Sequence, residues 1–352
     1  MDLHDLTLLI PVRDRHYNLD RVFQHYKDLD CQKIIVDSSV KKYDEEHKAI
    51  NFGFKYNYYG PICYPELKYK MVSDTQTEFV VDCADDDLIL LSSLKMGVDF
   101  LRKNKNYVTC YGEEYWFDPN QKKIATLNKD NTASDRVAYD FEFFTKTSNR
   151  FIHHLKSQFC SENPIERIKF NSVPMMGSAH CLHRTKILSK INKLIFDNVK
   201  LHPINWAEQV TDILTSAAGN RKILNCIWNV RYVGERLINI LPTEELWGPR
   251  GEKKEQILKN LDHDHLNPIC KMLSNYPSDL DLKQSYEVIK DIFIKCNDQP
   301  TRWGGHKGHN HRLPHTNHDD IFINEINKIG KLMKATKTPN KSTKTPLTRK
   351  VE

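Results

Sequence analysis

Three consecutive carboxylates, Asp85, Asp86 and Asp87, end an apolar run that begins at Phe79. Their side chains repel one another and lose hydration between apolar segments, so a divalent cation or several backbone amides would be needed to neutralise them. A hard cation bound here would in turn hold a diphosphate. Aspartate is equally common in solvated turns between a strand and a helix, and the triplet alone does not decide between these readings.

Polar residues also follow the first two apolar runs of the chain. Pro11-Val12-Arg13-Asp14-Arg15 follows the first run and Asp37-Ser38-Ser39 follows the second. Ligands of parallel sheets bind beyond the carboxyl ends of the strands, so these residues and the triplet should share one crevice. Asp37 is placed to accept hydrogen bonds from a base or ribose. Arg13, Arg15 or Lys70 could assist in holding a phosphate, or could be solvated surface charges.

The elements that position these residues open as strand, helix, strand. Leu6 to Val12 is continuously apolar, Leu19 to Leu29 has apolar residues at helical spacing, and Lys33 to Val36 is short and β-branched. This pattern predicts an α/β fold with a parallel sheet covered on both faces. The first strand is not followed by GxGxxG and the chain contains no GxxxxGK[ST], which argues against a dinucleotide fold and a phosphate-binding-loop NTPase.

Composition indicates a globular protein of 352 residues, 39% of them hydrophobic, with a net charge of +6. The acidic start Met1-Asp2-Leu3-His4-Asp5 does not resemble a signal peptide, and the sequence offers no apolar run near the roughly 18 residues that cross a bilayer, so we expect a cytoplasmic protein. Nine cysteines without a CxxC pair favour buried free thiols. Much of the positive charge is C-terminal, and we expect no nucleic-acid partner.

Several motifs together resemble a known enzyme family. The segments Leu6–Arg15, Ile34–Ser39 and Ala84–Ile89 are similar to the nucleotide-sugar half of a GT-A glycosyltransferase of the family 2 type, in the bacterial subgroup with Asp-Ser-Ser and Asp-Asp-Asp motifs. A second signature of that family resembles Met175–Arg184 and Trp206–Leu214, followed by Ala218-Gly219. The resemblance covers residues 5 to 235, and the motifs occur in the family's order and spacing.

The resemblance implies a GT-A-type, mostly parallel sheet flanked by helices, with a helical C-terminal extension. It also implies an inverting, metal-dependent transfer of sugar from a nucleoside diphosphate sugar, UDP-linked, to a glycan or lipid-linked acceptor in surface polysaccharide synthesis. Mg²⁺ or Mn²⁺ would bind at Asp86 and Asp87. The residues expected to contact the nucleotide sugar are Pro11, Arg13, Asp37, Ser38, Lys70, Asp85, Gly177 and Ser178.

The general base expected from the resemblance is Glu208. Many family members have Glu-Asp at this helix start, with the Asp as base, whereas this chain has Ala207-Glu208. Asp212, one helical turn further on, is the alternative. Glu208 could instead be an ordinary acid near a helix N-terminus. Two other functions stay open: a nucleotidyltransferase of sugar phosphates, and a catalytically inactive nucleotide-sugar-binding partner subunit.

We predict four regions: a transferase domain over 1–235, a helical extension over 236–300, a His-rich loop with a short helix over 301–327, and a disordered basic tail over 328–352. Within the extension, helices are predicted at Lys253–His263, Asn267–Tyr276 and Leu282–Cys296. Within the first domain we expect a hairpin turn at 118–123 and a helix at 139–155. The histidines of 306–318 could bind zinc or belong to a flexible loop or a lid. The tail could give peripheral contact with the inner face of the membrane, or serve solubility.

Overall fold

A computed structural model describes residues 3–117, 136–138, 144–147, 160–171, 180–198, 204–232, 266–276, 280–298 and 320–335. Its strands are β1 (Leu6–Val12), β2 (Gln32–Asp37), β3 (Phe54–Tyr58), β4 (Phe79–Asp82), β5 (Leu88–Ile89), β6 (Tyr107–Phe117), β7 (Arg136–Ala138), β8 (Phe144–Thr147), β9 (Leu182–Arg184) and β10 (Asn220–Tyr232).

The helices are α1 (Leu19–Tyr26), α2 (Glu46–Asn51), α3 (Tyr64–Ser73), α4 (Leu91–Lys103), α5 (Pro164–Asn171), α6 (Thr185–Asn198), α7 (Ile204–Ala218), α8 (Asn267–Asn275), α9 (Leu282–Asp298) and α10 (Asp320–Ala335). A 3-10 turn, His16–Asn18, joins β1 to α1.

One sheet runs through the described part of the molecule in the order β3-β2-β1-β4-β9-β6-β10-β5, with β8 paired to β6 and β7 to β8. The first four strands in this order are parallel to one another, and so are β6 and β10. Strand β9 is antiparallel to both of its neighbours. The predicted fold class, a GT-A-type α/β fold with a mostly parallel sheet flanked by helices, is confirmed.

Helices cover both faces of the sheet. On one face α1, α4 and α10 pack onto the strands in a cluster that includes Phe23, Leu94, Trp228 and Phe322. On the other face Leu67 and Met71 of α3 and Leu188 of α6 pack against β1, β2 and β4. Because the central strands are buried on both faces, they are continuously apolar, as the sequence of β1 shows.

The C-terminal extension packs against the helices of the main body. Ile269 and Met272 of α8 and Ile289 and Ile292 of α9 share one buried cluster with residues of α5, α6 and α7, including Val210. The predicted helices at Asn267–Tyr276 and Leu282–Cys296 are confirmed to within two residues. The predicted helix at Lys253–His263 and the His-rich residues 306–318 lie outside the described residues.

Two predictions about secondary structure are wrong where the structure describes them. Residues 328–335 belong to helix α10 and are not disordered, because Ile329 and Met333 complete an apolar face with Phe322 and Ile326 that is buried in the main core. Residues 144–147 form strand β8 and not a helix, because Phe144-Thr145-Lys146-Thr147 pairs with β6. The predicted turn at 118–123 lies outside the described residues.

Two further properties are the state of the cysteines and the length of the helices. The eight cysteines whose side chains the structure describes are free thiols, and Cys83, Cys110, Cys181, Cys226 and Cys270 are buried. Across the described ranges, no helix has both the length and the apolar character needed to span a bilayer.

Candidate functional site

Two consecutive residues after β1 join the polar groups at three strand ends. Arg15 donates from Nη1 to Asp86 Oδ2 at 2.6 Å, and its Nη2 contacts Asp85 Oδ1. The next residue, His16, places Nε2 at 2.8 Å from Asp37 Oδ2. The 3-10 turn after β1 therefore connects the end of β2 with the acidic triplet after β4, as expected from the strand ends of a parallel sheet.

Asp37 is fully buried and is held by several donors. Besides His16, the Ser39 backbone N–H donates to its Oδ1 at 2.8 Å and the Tyr56 hydroxyl donates to its Oδ2. Burial alone would raise the pKa of Asp37, but these hydrogen bonds outweigh burial and hold the pKa below its ordinary value. Asp37 is therefore a fixed anion at the end of β2.

The first two carboxylates of the triplet share Arg15 as their cation. Asp85 is fully buried and also accepts a hydrogen bond from Asn18 Nδ2 at 3.1 Å. Burial, opposed by Arg15 and reinforced by the charge of Asp86, raises the pKa of Asp85 to about 7. Burial and the charge of Asp87 also raise the pKa of Asp86. The side chain of Asp86 is 18% exposed, so it is the carboxylate of this pair that solvent reaches.

The third carboxylate, Asp87, faces a different set of donors. Its Oδ2 lies 3.1 Å from His180 Nε2 and 3.3 Å from Arg231 Nε, and its Oδ1 accepts from the Tyr232 backbone N–H at 3.0 Å. Burial would raise the pKa of Asp87, but the charge of Arg231 and the His180 hydrogen bond lower it. Its side chain is 4% exposed. Through these contacts Asp87 holds His180 and the end of β10 beside the triplet.

The donor set bears on whether a divalent cation could bind here. Within the described ranges, no group of three or more His, Cys, Asp or Glu side chains is arranged to hold a metal ion. Mg²⁺ is commonly bound by only one or two carboxylates and completed by water and substrate phosphates. Asp86 is partly exposed, and its oxygens retain acceptor capacity beyond the Arg15 bonds. These residues therefore fit a cation that is held by Asp86 and a bound diphosphate.

A chain of contacts leads from Glu208 to the acidic triplet. The Tyr64 hydroxyl donates to Glu208 Oε1 at 3.4 Å, and Lys68 Nζ lies 5.7 Å from the centre of the Tyr64 ring. Lys68 in turn donates to Asp82 Oδ2, at the tip of β4, at 2.5 Å. Asp82 is also attracted by His180, which binds Asp87. Side-chain contacts therefore connect Glu208 to Asp82 through Tyr64 and Lys68, and an electrostatic attraction connects Asp82 to the His180 that binds the triplet.

The position of Glu208 in α7 and the contacts of Asp212 bear on which of the two residues could be the general base. Because α7 begins at Ile204, Glu208 lies in the second turn, beyond the first turn over which a helix dipole favours acids. Asp212 is buried and forms an ion pair with Arg221 at 3.2 Å between Oδ1 and Nη1. Asp212 is thus committed to a structural contact, and Glu208 is the better candidate for the base.

The structure does not bring all predicted site residues to this cluster. Lys70 lies on the outer side of α3, 3.7 Å from Glu66, and Arg13 is exposed and donates to the Ile62 carbonyl at 3.3 Å. Ser38 is buried and donates from Oγ to the Val12 carbonyl, and Pro11 is part of β1, opposite Val36. Their roles stay predictions. Gly177 and Ser178 lie outside the described residues.

Sequence reasoning missed five residues that surround the predicted carboxylates. They are His16, Tyr56, Tyr64, Lys68 and His180. A signal exists for Lys68, since the apolar positions Leu67 and Met71 place Lys68 near the inner face of α3 and Lys70 on the outer face. The other four come from separate elements, and only the tertiary fold assembles them.

Comparison with known proteins found no matching family model and no matching curated protein. Among solved structures, S. aureus TarS is 12% identical, with a TM-score of 0.42 over 82% of this chain and 43% of that chain. TarS 1–349 in complex with UDP is 13% identical, with a TM-score of 0.42, over 82% of this chain and 70% of that one. TarS 1–349 in complex with UDP-GlcNAc is 13% identical, with a TM-score of 0.43, over 82% of this chain and 71% of that one.

This chain therefore spans less than half of the TarS chain in the first of these structures. With TM-scores below 0.5 and such low identities, the likeness carries no argument about the chemistry of this chain. What this chain does must be argued from its own residues.

Proposed function

We propose that this chain is an inverting glycosyltransferase that moves a sugar from a nucleoside diphosphate sugar, UDP-linked, to a glycan or lipid-linked acceptor. The observation that carries the proposal is the pairing made by two adjacent residues: His16 holds Asp37 and Arg15 holds Asp85 and Asp86. Groups suited to a base or ribose thus lie beside groups suited to a diphosphate. The acceptor class and a role in surface polysaccharide synthesis follow from the sequence resemblance.

The nucleoside end of the donor would lie against Asp37. A carboxylate accepts hydrogen bonds from ribose hydroxyls or from a base N–H, and Asp37 is already oriented by His16, Tyr56 and Ser39. Because these partners fix the carboxylate before the ligand arrives, little ordering cost remains for binding. Asp85, which is fully buried, pairs with Arg15 and holds that guanidinium in place.

The diphosphate end would lie near Asp86 and Arg15. Arg15 presents a planar guanidinium with bidentate geometry, which suits phosphate oxygens as well as carboxylates. Mg²⁺ or Mn²⁺ bound at Asp86 would neutralise the charge that develops on the departing diphosphate. Asp87, predicted as a second ligand, supports the site through His180 and Arg231.

Glu208 would remove the proton from the acceptor hydroxyl as that oxygen attacks the anomeric carbon. Attack on the face opposite the leaving diphosphate inverts the anomeric configuration. General-base assistance of this kind contributes about 10²–10⁴-fold to a rate. The hydrogen bond from Tyr64 to Oε1 helps to orient the Glu208 carboxylate.

The test is Glu208→Gln, compared with the wild type in a sugar-transfer assay and in a thermal-shift screen. The screen uses UDP, GDP, CDP and CMP, each with and without Mn²⁺, because a ligand that binds the native state raises the melting temperature. Glu208→Gln should reduce turnover by about 10²-fold or more and keep the nucleotide-induced shift. Glu66→Gln, in the partly exposed pair with Lys70, is the matched control and should retain both.

The outcomes separate the alternatives. If no nucleotide raises the melting temperature of the wild type, the assignment of these residues as a donor site is wrong. If nucleotides bind but the wild type transfers no sugar to any acceptor offered, the protein is a nucleotide-sugar-binding subunit. If Glu208→Gln transfers sugar at the wild-type rate, another residue is the base.

A further inference from the structure

The outer face of α4 and α10 carries a basic patch beside an exposed apolar side chain. We define this α4–α10 patch as Lys95, Lys103, Ile321, Lys328 and Lys331. All four lysines are exposed, and Ile321 is 57% exposed. Ile321 and Lys328 are seven residues apart and therefore share one face of α10, with Lys331 on its flank.

A groove of about 480 Å³ opens between the two helices within this patch. Its apolar lining comes from Met96, Phe100, Leu224, Ile321 and Phe322, and its basic lining comes from Lys95 and Lys103. Asp99, which also lines the groove, forms an ion pair with Arg102 at 3.3 Å. The groove thus combines an apolar floor with positive charge at its edge.

Glu325 of α10 does not place its negative charge on the outer face of the helix. The helix contains three lysines and two acids, Asp320 and Glu325. Glu325 points to the N-terminus of α4, where it accepts hydrogen bonds from the Ser92 backbone N–H at 3.2 Å and from the Ser92 hydroxyl at 2.5 Å. It is therefore committed to capping α4, and this contact also fixes α10 against the body of the protein.

The sequence that follows α10 continues the same charge. Helix α10 ends at Ala335, and the next 17 residues, 336–352, contain Lys337, Lys341, Lys344, Arg349 and Lys350 with a single acid, Glu352. Basic residues near an anionic leaflet each contribute about 1 kcal/mol of attraction. An exposed aliphatic side chain among lysines is typical of surfaces that enter the headgroup region of a bilayer.

We propose that the α4–α10 patch is a docking surface for an anionic lipid bilayer. The folded patch would fix the orientation of the protein on the membrane, and the basic residues after Ala335 would add affinity. This proposal does not depend on the glycosyltransferase activity. The apolar lining and Ile321 favour a bilayer over a soluble polyanion, which offers nothing for the apolar side chains to enter.

The test is co-sedimentation of the full chain with vesicles of phosphatidylcholine alone and of phosphatidylcholine with phosphatidylglycerol. The chain should bind only the anionic vesicles, and high salt should release it. Lys328→Gln/Lys331→Gln should weaken binding about 30-fold, from about 1 kcal/mol per lysine, and Ile321→Ser should weaken it several-fold. Lys55→Gln/Lys186→Gln, on β3 and α6 away from the patch, is the matched control and should bind like the wild type.

Several results would overturn the proposal. One is equal binding to neutral and anionic vesicles, or to neither. Another is wild-type binding by Lys328→Gln/Lys331→Gln, which would assign the affinity to residues 336–352 alone. A third is competition by a single-stranded oligonucleotide combined with no effect of Ile321→Ser, which would indicate a polyanion site. Circular dichroism and melting temperature confirm that each variant is folded.

Discussion

Replacing Lys68 by methionine should destabilise the protein by about 3 kcal/mol at pH 7, because the change removes the cation that is hydrogen-bonded to the buried Asp82. The ion pair between Lys68 Nζ and Asp82 Oδ2 is largely buried, with 12% of the Lys68 side chain and 9% of the Asp82 side chain exposed. Removing one partner of a buried pair typically costs about 3–5 kcal/mol. The residual exposure places this pair at the lower end of that range.

The cost of protonating Asp82 sets an upper limit on the loss of stability in Lys68→Met. A stranded Asp82 can take up a proton, which costs about 1.4 kcal/mol for each pH unit above an unfolded pKa of about 3.9, or about 4 kcal/mol at pH 7. Burial alone would raise the pKa of Asp82, but in the wild type the charge and hydrogen bond of Lys68, together with the charges of His180 and His183, outweigh burial and lower the pKa. The stability from this pair is therefore present above pH 3.9 and is lost as pH falls through the lowered folded pKa.

In Lys68→Met the shift in the pKa of Asp82 has the opposite direction. Burial then raises the pKa of Asp82, so the penalty is present at neutral pH and disappears as pH falls toward the unfolded pKa. The loss relative to the wild type should shrink from about 3 kcal/mol at pH 7 to under about 1 kcal/mol at pH 4.5. Asp82→Asn in the Lys68→Met background should recover more than half of the loss at pH 7, since it removes the stranded charge.

The assay is equilibrium urea unfolding at pH 7 and pH 4.5. Lys70→Met is the matched control: Lys70 is two residues away on the same helix, but its pair with Glu66 is partly exposed, at 36% and 31% of the two side chains, and is worth about 0.3–0.5 kcal/mol. The reasoning is refuted if Lys68→Met costs no more than Lys70→Met, or if its cost is the same at both pH values.

Three further changes probe the supports of the site. Glu325→Ala should lower stability by about 1–2 kcal/mol in urea unfolding, because it removes the cap that Ser92 and its neighbour receive; an unchanged midpoint would contradict this. Gly112→Ala should cost about 1–3 kcal/mol, since the added Cβ would lie 2.5 Å from the Cys226 backbone oxygen, and a wild-type melting temperature would show that the strands can separate. Tyr64→Phe should slow sugar transfer and keep the nucleotide-induced thermal shift, because it removes a hydrogen bond that orients the Glu208 carboxylate; equal loss of both would indicate a general structural role.

The sequence predicted the parts of the fold that depend on local pattern. Strand β1 is apolar apart from Thr7 and buried apart from Pro11, and α1 has a clear apolar stripe, so the βαβ opening was recognisable. Strand β8 was missed because its identity depends on pairing with β6, which is distant in sequence. The predicted helix before residue 328 ended too early because the lysines of α10 suggested disorder. In the structure the apolar face of α10 is buried against the sheet, and the helix continues to Ala335.

The candidate site was predictable to the same extent. Asp37 and the acidic triplet were found because they immediately follow strands, and the end of a parallel strand is a position that topology fixes. Lys70 was chosen on α3, although the apolar positions Leu67 and Met71 mark the inner face of the helix and Lys68 lies nearer to that face. The role of Arg15 as the cation that Asp85 and Asp86 share required the path of the chain after β1.

The central claim is that Asp37 and Asp86 bind the two ends of one nucleoside diphosphate. Calorimetric titration of UMP and UDP with Mn²⁺ into the wild type, Asp37→Ala and Asp86→Ala tests it most directly. A lost hydrogen bond to a charged group corresponds to about 10- to 100-fold in affinity. Asp37→Ala should weaken UMP and UDP alike by this factor, and Asp86→Ala should weaken UDP and abolish its dependence on Mn²⁺. Wild-type affinity for UDP in both variants would contradict the account.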